Sequence, residues 1–165
     1  MKIAVLGGLG LQGRAAIADL VASADVEEVV CVDTAPDGAA RLGGLTDPAR
    51  VRFVVPEGAI APVLANVLAG VDAAIDLLPQ PLMREAVLAA IATRTPLVTS
   101  NYGKTITDLA PAAEAAGVSI MTECGLDPGI DLVLYARTAR QFDAITTIDS
   151  YCGGIPEPTA MAKPL

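Results

Sequence analysis

Gly8-Leu9-Gly10-Leu11-Gln12-Gly13 places three glycines at the spacing Gly-x-Gly-x-x-Gly. The triplet stands where a strand-like run, Lys2 to Leu6, gives way to helical spacing from Leu11 to Ala22. In such a junction the first glycine allows a tight turn, the second lets a ligand approach the backbone, and the third lets the helix pack close to the strand. The N–H groups that open the helix lack intrahelical partners, and the helix dipole makes their end positive, so the junction suits a diphosphate. Asp33 closes the next strand-like run, Glu28 to Val32, 20 residues after Gly13. A carboxylate there chelates the ribose hydroxyls of an adenine dinucleotide and repels a 2′-phosphate. Asp33 therefore favours NAD, with NADP the other candidate if Arg41 offsets the repulsion.

The rest of the chain repeats the strand-then-helix rhythm. In the first helix Ala15, Ala16, Leu20 and Val21 share a face, and Thr34 to Pro48 reads as a loop without a helix. A weaker third strand runs from Arg52 to Val55. The later segments read as helix Ala59–Ala69, strand Asp72–Leu78, helix Leu82–Thr93, strand Pro96–Thr99, helix Ile106–Ala116 and strand Val118–Thr122. Short, continuously apolar strands alternating with helices predict an α/β fold: a doubly wound parallel sheet of the Rossmann dinucleotide-binding type. Beyond Thr122 the rhythm changes to a turn-rich segment, a helix from Ile130 to Phe142 and a β-branched strand from Ala144 to Tyr151. That strand alternates in character and expects antiparallel neighbours. Residues 1–123 thus read as the dinucleotide-binding domain, and 124–165 as a hinge, a linking helix and the first strand of an incomplete α+β substrate domain.

Composition narrows the function classes. Hydrophobic residues make up 53% of the 165 and aromatics only 3%, so the core must be built from Ala, Val, Leu and Ile. Net charge is −8 and the basic residues are scattered singly, which argues against a nucleic-acid partner. The chain has no His, which excludes Ser-His-Asp and Cys-His catalysis within it and removes the commonest metal ligand; no metal is expected. Cys31, Cys124 and Cys152 are widely spaced and odd in number, fitting a reducing cytoplasm better than a disulfide framework. Cys124 reads as a buried small hydrophobe rather than a nucleophile. The most apolar stretch, Gly58 to Leu78, is broken by Pro62, Asn66, Gly70, Asp72 and Asp76 and cannot span a bilayer. The N-terminus imitates a signal peptide, with Lys2, an apolar run and Ala22-Ser23-Ala24, but Gly7, Gly8, Gly10, Gln12 and Arg14 break the resemblance.

Four blocks point to a narrower identity: Asp76-Leu77-Leu78-Pro79-Gln80-Pro81, Thr99-Ser100-Asn101-Tyr102, Glu123-Cys124-Gly125-Leu126-Asp127-Pro128-Gly129-Ile130-Asp131 and Ser150-Tyr151-Cys152-Gly153-Gly154-Ile155-Pro156. In this order they resemble the saccharopine dehydrogenase family, which includes saccharopine reductase and lysine 6-dehydrogenase. One departure is Leu132, where many relatives carry His. The resemblance implies hydride transfer between a C–N bond of a lysine-related amino acid and a nicotinamide. It also implies an inserted substrate domain and a segment that returns to the first domain. By position, Gly8, Gly10, Leu11, Gln12, Gly13, Asp33, Leu78, Pro79 and Ser100 would bind the cofactor, and Glu123, Gly125 and Leu126 would border the substrate.

Oxidising an amine requires removal of its proton, hydride delivery to the nicotinamide and attack of water on the imine. Protein groups position the amine and move protons. Asp127, Tyr102 and Lys104 are the titratable candidates, Asp127 foremost. An Asp before Pro also serves as a helix cap, and Tyr102 and Lys104 also suit a loop lining. Three readings stay open: the cofactor-binding part of an amino-acid dehydrogenase, inactive alone; a non-catalytic dinucleotide module; and a subunit that needs a separate substrate-domain chain. The unpartnered strand near 144–151 leaves room for a homodimer or another pairing through its edge.

Overall fold

A computed structural model of the chain describes residues 1–44, 47–127, 129–149 and 151. Six strands form one parallel sheet: β1 (Lys2–Leu6), β2 (Glu28–Val32), β3 (Val51–Val54), β4 (Ala73–Asp76), β5 (Leu97–Thr99) and β6 (Ile120–Met121). Their spatial order is β3-β2-β1-β4-β5-β6. The chain winds outward from β1 to β3, returns to the far side of β1 and winds outward again. The reversal leaves a crevice between the turns that follow β1 and β4, the position where such sheets take ligands. At the carboxyl ends, one register row runs Val54–Val32–Leu6–Asp76–Thr99.

Helices cover both faces because the strands are apolar on both. On one side Ile3, Val5, Val29 and Cys31 pack against α1 (Leu11–Ala22). The buried stripe of that helix is Gly13, Ile17 and Val21, spaced four apart; of the face expected from the sequence, only Val21 is buried. On the other side Ala4, Leu6, Val30, Val32 and Ala74 meet residues that belong to helices on the far side of the chain's reversal. Those helices are α3 (Ile60–Leu68), which gives Leu64 and Leu68, and α4 (Gln80–Thr93), which gives Met83, Ala86, Val87 and Ala90. Arg50 fastens the end of α1 to the start of β2 by donating to the carbonyls of Val21, Ser23 and Val26.

Four expectations need correcting. The 34–48 segment contains one helical turn, α2 (Gly38–Arg41), and a 3-10 turn at Pro48–Arg50. Four residues are too few to show a helical period. The helix expected at 106–116 is instead a 3-10 segment, Gly103–Leu109, followed by α5 (Ala110–Ala116). Pro111 has no N–H to give to Thr107 and its ring crowds that carbonyl, so it suits the first turn of α5 and the α ladder does not extend back past it. Helix α6 spans Ile130–Ala139, ends three residues early and has no buried residue. Finally, 144–149 form no strand: they have no neighbouring strand to bond with, and Ile145 and Ile148 are exposed. The edge offered for dimer pairing is therefore absent among the described residues; Ser150 and 152–165 lie outside them.

Leu64 is fully buried where α3 meets α4 and the sheet. Leu64→Ala should lower unfolding free energy by about 2–5 kcal/mol through lost burial and the cavity left behind. Urea denaturation checks this, and a loss under about 1 kcal/mol would contradict the core assignment.

Candidate functional site

The turn after β1 is built by backbone crowding. Gly7, not Gly8, adopts the left-handed conformation (φ +77°), and a Cβ there would stand 2.7 Å from the Leu77 carbonyl oxygen. Gly8 is needed for space, since its Cβ would meet Cys31 Sγ at 2.6 Å and Ile17 Cδ1 at 3.0 Å. At Gly13 a Cβ would collide with the Gly7 carbonyl and lie 2.6 Å from Gly8 Cα. Gly10, by contrast, has only the Gly7 oxygen at 3.4 Å, so its face is open. Gly7 N and Gly8 N both donate to Val32 O (2.8 and 3.3 Å), and Gly10 N donates to Gly7 O (3.2 Å). Helix α1 has Gly10 as its N-cap, no side-chain cap and no acid in its first turn. The N–H groups of Leu11, Gln12 and Gly13 are therefore the ones an α-helix leaves for an anion. Leu11 and Gln12 are exposed, so the mouth is open.

Asp33 stands at the carboxyl end of β2, half-buried. Its Oδ2 accepts from Leu9 N (2.9 Å) and its Oδ1 from Ala35 N (3.1 Å). One carboxylate thus shapes the glycine turn while each oxygen keeps a lone pair for a ligand. Arg41, the cation that would offset it, is paired with Asp37 at 2.9 Å. Beneath Gly8, burial and the nearby Asp33 charge push the Cys31 thiol up to about 12, so this sulfur is inert.

Across the crevice, Ser100 reaches Gln12 Oε1 at 3.4 Å, joining the end of β5 to the start of α1. Asn101 Nδ2 donates to Leu78 O (3.0 Å), and Pro79 is the N-cap of α4. Sequence reasoning gave no role to Asp76, which is fully buried between these turns. Its Oδ1 accepts from Leu78 N (3.1 Å), and its Oδ2 has no hydrogen-bond partner among the described residues. The signal that could have found it is an acid closing an otherwise apolar strand, as Asp33 nearly does. Burial raises the Asp76 carboxyl above the ordinary carboxylate range; the Leu78 amide and the Thr99 and Asn101 side chains pull the other way.

The remaining candidates lie toward β6. Glu123 N donates to Asn101 O (3.0 Å), and Glu123 Oε1 stands 3.5 Å from Gly103 N. Gly125 O and Leu126 O accept from Ile130 N and Asp131 N at 3.0 and 3.2 Å, closing the loop that leads into α6. Asp127 is exposed, and the capping carboxylate here is Asp131, whose Oδ1 accepts from Gly129 N (2.7 Å). Pro128 lies outside the described residues. Tyr102 is half exposed, and Lys104 is exposed. Lys104 and Glu123 share a groove of about 910 Å³ with Val87, Ile106, Leu109 and Ile120, whereas Asp127, Tyr102 and the glycine turn do not line it. Of the three catalytic candidates, Lys104 alone lines this groove. Cys124 is exposed, correcting its reading as a buried hydrophobe: it follows β6, the edge strand of the sheet. Of the Ser150–Pro156 block only Tyr151 is described, and it is exposed.

The Asp76 carboxyl makes a checkable pH signature. A pKa raised in the folded state gives stability that is complete below the unfolded carboxylate value and is lost as pH rises through the folded one. Asn at this site does not titrate. The melting temperature of Asp76→Asn minus that of the unmodified chain should therefore grow as pH rises above about 4 and then level off. A difference that shrinks over that range would contradict the direction of the shift.

A family model described as the saccharopine dehydrogenase NADP binding domain matches residues 3–121. The saccharopine dehydrogenase (NADP+, L-glutamate-forming) of Saccharomyces cerevisiae is 32% identical over 169 residues, across 99% of this chain and 37% of that protein. The mitochondrial alpha-aminoadipic semialdehyde synthase of Bos taurus is 36% identical over 107 residues, across 62% of this chain and 12% of that protein. The solved apo structure of the histidine-tagged saccharopine dehydrogenase (L-Glu forming) from S. cerevisiae aligns with a TM-score of 0.73 at 30% identity, covering 85% of this chain and 31% of that one. The chain therefore spans little more than a third of the yeast relative it matches end to end. On sequence and fold together, this chain belongs to the saccharopine dehydrogenase family.

Proposed function

We propose that this chain is the nicotinamide-dinucleotide-binding part of an amino-acid dehydrogenase of the saccharopine type. The longer protein would transfer hydride between a C–N bond of a lysine-related amino acid and the nicotinamide. The observation that carries the reading is the glycine turn: open at Gly10, free of acids in the first helical turn, and braced by Asp33 through Leu9 N. When bound, the dinucleotide supplies the hydride chemistry. The N–H groups of Leu11, Gln12 and Gly13 would hold its diphosphate, with Gly8 and Gly10 giving the backbone its close approach. Asp33 would hold the adenosine ribose, while Leu78, Pro79 and Ser100 would border the nicotinamide end. Glu123, Gly125 and Leu126 would line the substrate side, and Asp127, Tyr102 and Lys104 would orient the amine and move its protons. Residues 1–123 form the cofactor domain in this reading, and 124–165 lead toward the substrate domain. The two free cysteines among the described residues fit a reducing compartment such as the cytoplasm. No helix among the described residues is long and apolar enough to cross a membrane.

The family model and the yeast relative carry NADP in their names. The local chemistry supports NAD instead: the Asp33 carboxylate stands after β2, where it would meet the ribose, and Arg41 of the following loop is tied to Asp37. Saturating NAD, at about a hundred times its Kd, should raise Tm by roughly 5–10 °C, with a smaller rise from NADP. Asp33→Ala should shrink the NAD shift and narrow the gap between the two. No shift with either dinucleotide at millimolar concentration would remove the reading, and a larger NADP shift would reverse the preference.

The candidate proton-handling side chains are exposed and no residue of α6 is buried, so among the described residues nothing encloses them away from water. The chain alone should show no lysine- or saccharopine-dependent reduction of NAD in a spectrophotometric assay at 340 nm. Clear turnover would show that residues 1–165 hold a complete active site.

A further inference from the structure

We propose that Asp76 is the positioning residue of the dinucleotide mouth, fixing the Leu77–Pro79 turn against Gly7. The proposal rests on the dinucleotide reading above and deepens it. Asp76 is in register with Leu6, the last residue of β1, and with Thr99 at the end of β5. Its side chain points to the same sheet face as Ala74, an otherwise apolar surface where Leu or Val would pack at no polar cost. A carboxyl there leaves one buried oxygen unpaired, which is unfavourable unless the other oxygen does something an apolar side chain cannot. What it does is hold Leu78 N.

With that bond, both polar groups of the Leu78 backbone are fixed, the N–H by Asp76 and the carbonyl by Asn101. Leu77 N is held by Leu6 O at 2.9 Å. The Leu77 carbonyl in turn forms the wall that leaves room for nothing larger than glycine at position 7. Asp76 therefore acts on the diphosphate turn at second hand, by setting the wall on which the turn rests, and on the nicotinamide end by placing Leu78 and Pro79. The groups acting on it are uncharged: Leu78 of its own turn, Thr99 of β5, and Asn101, with Leu6 opposite on β1. Among the described residues no ion pair competes for the carboxyl.

The test compares NAD dissociation constants, by titration calorimetry on the whole chain, for the unmodified protein and three variants. Asp76→Leu removes the acceptor while keeping the site filled, Asp76→Asn restores the acceptor without the charge, and Leu64→Ala destabilises the core away from the mouth. Asp76→Leu should bind NAD at least tenfold more weakly, while Asp76→Asn and Leu64→Ala stay within threefold of the unmodified chain. Equal binding by Asp76→Leu overturns the proposal, as does failure of Asn to rescue or an equal loss in Leu64→Ala. If Asp76→Leu does not fold, hydrogen exchange of the Leu78 amide decides. Protection in the unmodified chain and in Asp76→Asn supports the contact, and free exchange in either overturns it. That amide reports on the turn even if neither NAD nor NADP binds, so failure of the cofactor reading is told apart from failure of this one.

Discussion

Helix α1 begins where it does because three backbones meet with no room for a side chain between them. A Cβ at Gly13 would collide with the Gly7 carbonyl and crowd Gly8, and a Cβ at Gly7 would crowd the Leu77 carbonyl. The helix start is thereby pressed against the end of β1, and β1 against the turn after β4. Everything proposed for the mouth depends on this triple approach. It aims the unsatisfied amides of the first helical turn into the crevice at the point where the sheet's winding reverses. Loosening it by one side chain would move the helix, the turn and the amides together.

Two carboxylates brace this arrangement from opposite flanks of β1. Asp33, after β2, takes Leu9 N and fixes the glycine loop; Asp76, ending β4, takes Leu78 N and fixes the opposing wall. Their surroundings give them different uses. Asp33 is half-buried and retains acceptor capacity toward the crevice, so it suits a ligand's hydroxyls. Asp76 is sealed from solvent and raised in pKa by that burial, so it suits a structural bond. Family membership accounts for the fold and the glycine turn, while the division of labour between the two acids comes from local geometry in this chain.

The sequence makes the sheet legible because most of its strands are short, continuous apolar runs, β1 stopping at a glycine and β2 and β4 at acids. The strand order is less legible, because right-handed crossovers permit more than one doubly wound arrangement. Less visible are features set by single contacts. Nothing in the spacing Gly8-x-Gly10-x-x-Gly13 says that the left-handed residue is Gly7; that follows from the approach of Leu77, 70 positions away. Asp76 looks like one more polar break in an apolar stretch until β5 is laid beside it. Pro111 is visible in the sequence, but apolar periodicity carries no trace of its effect on the preceding turn. The β-branched run 144–149 has strand propensity without a neighbour, and propensity alone does not make a ladder. The glycine turn and Asp33 were legible as a unit, whereas nothing in the spacing tells that Lys104 lines the groove beside β6 and that Asp127 and Tyr102 do not.

The most direct measurement is a two-dimensional amide NMR titration of the chain with NAD, followed residue by residue. The account predicts saturable shifts concentrated at Gly10, Leu11, Gln12 and Gly13, with a second set at Leu78 and Ser100. Saturable shifts confined to the groove beside β6, with the glycine-turn amides unmoved, would contradict it.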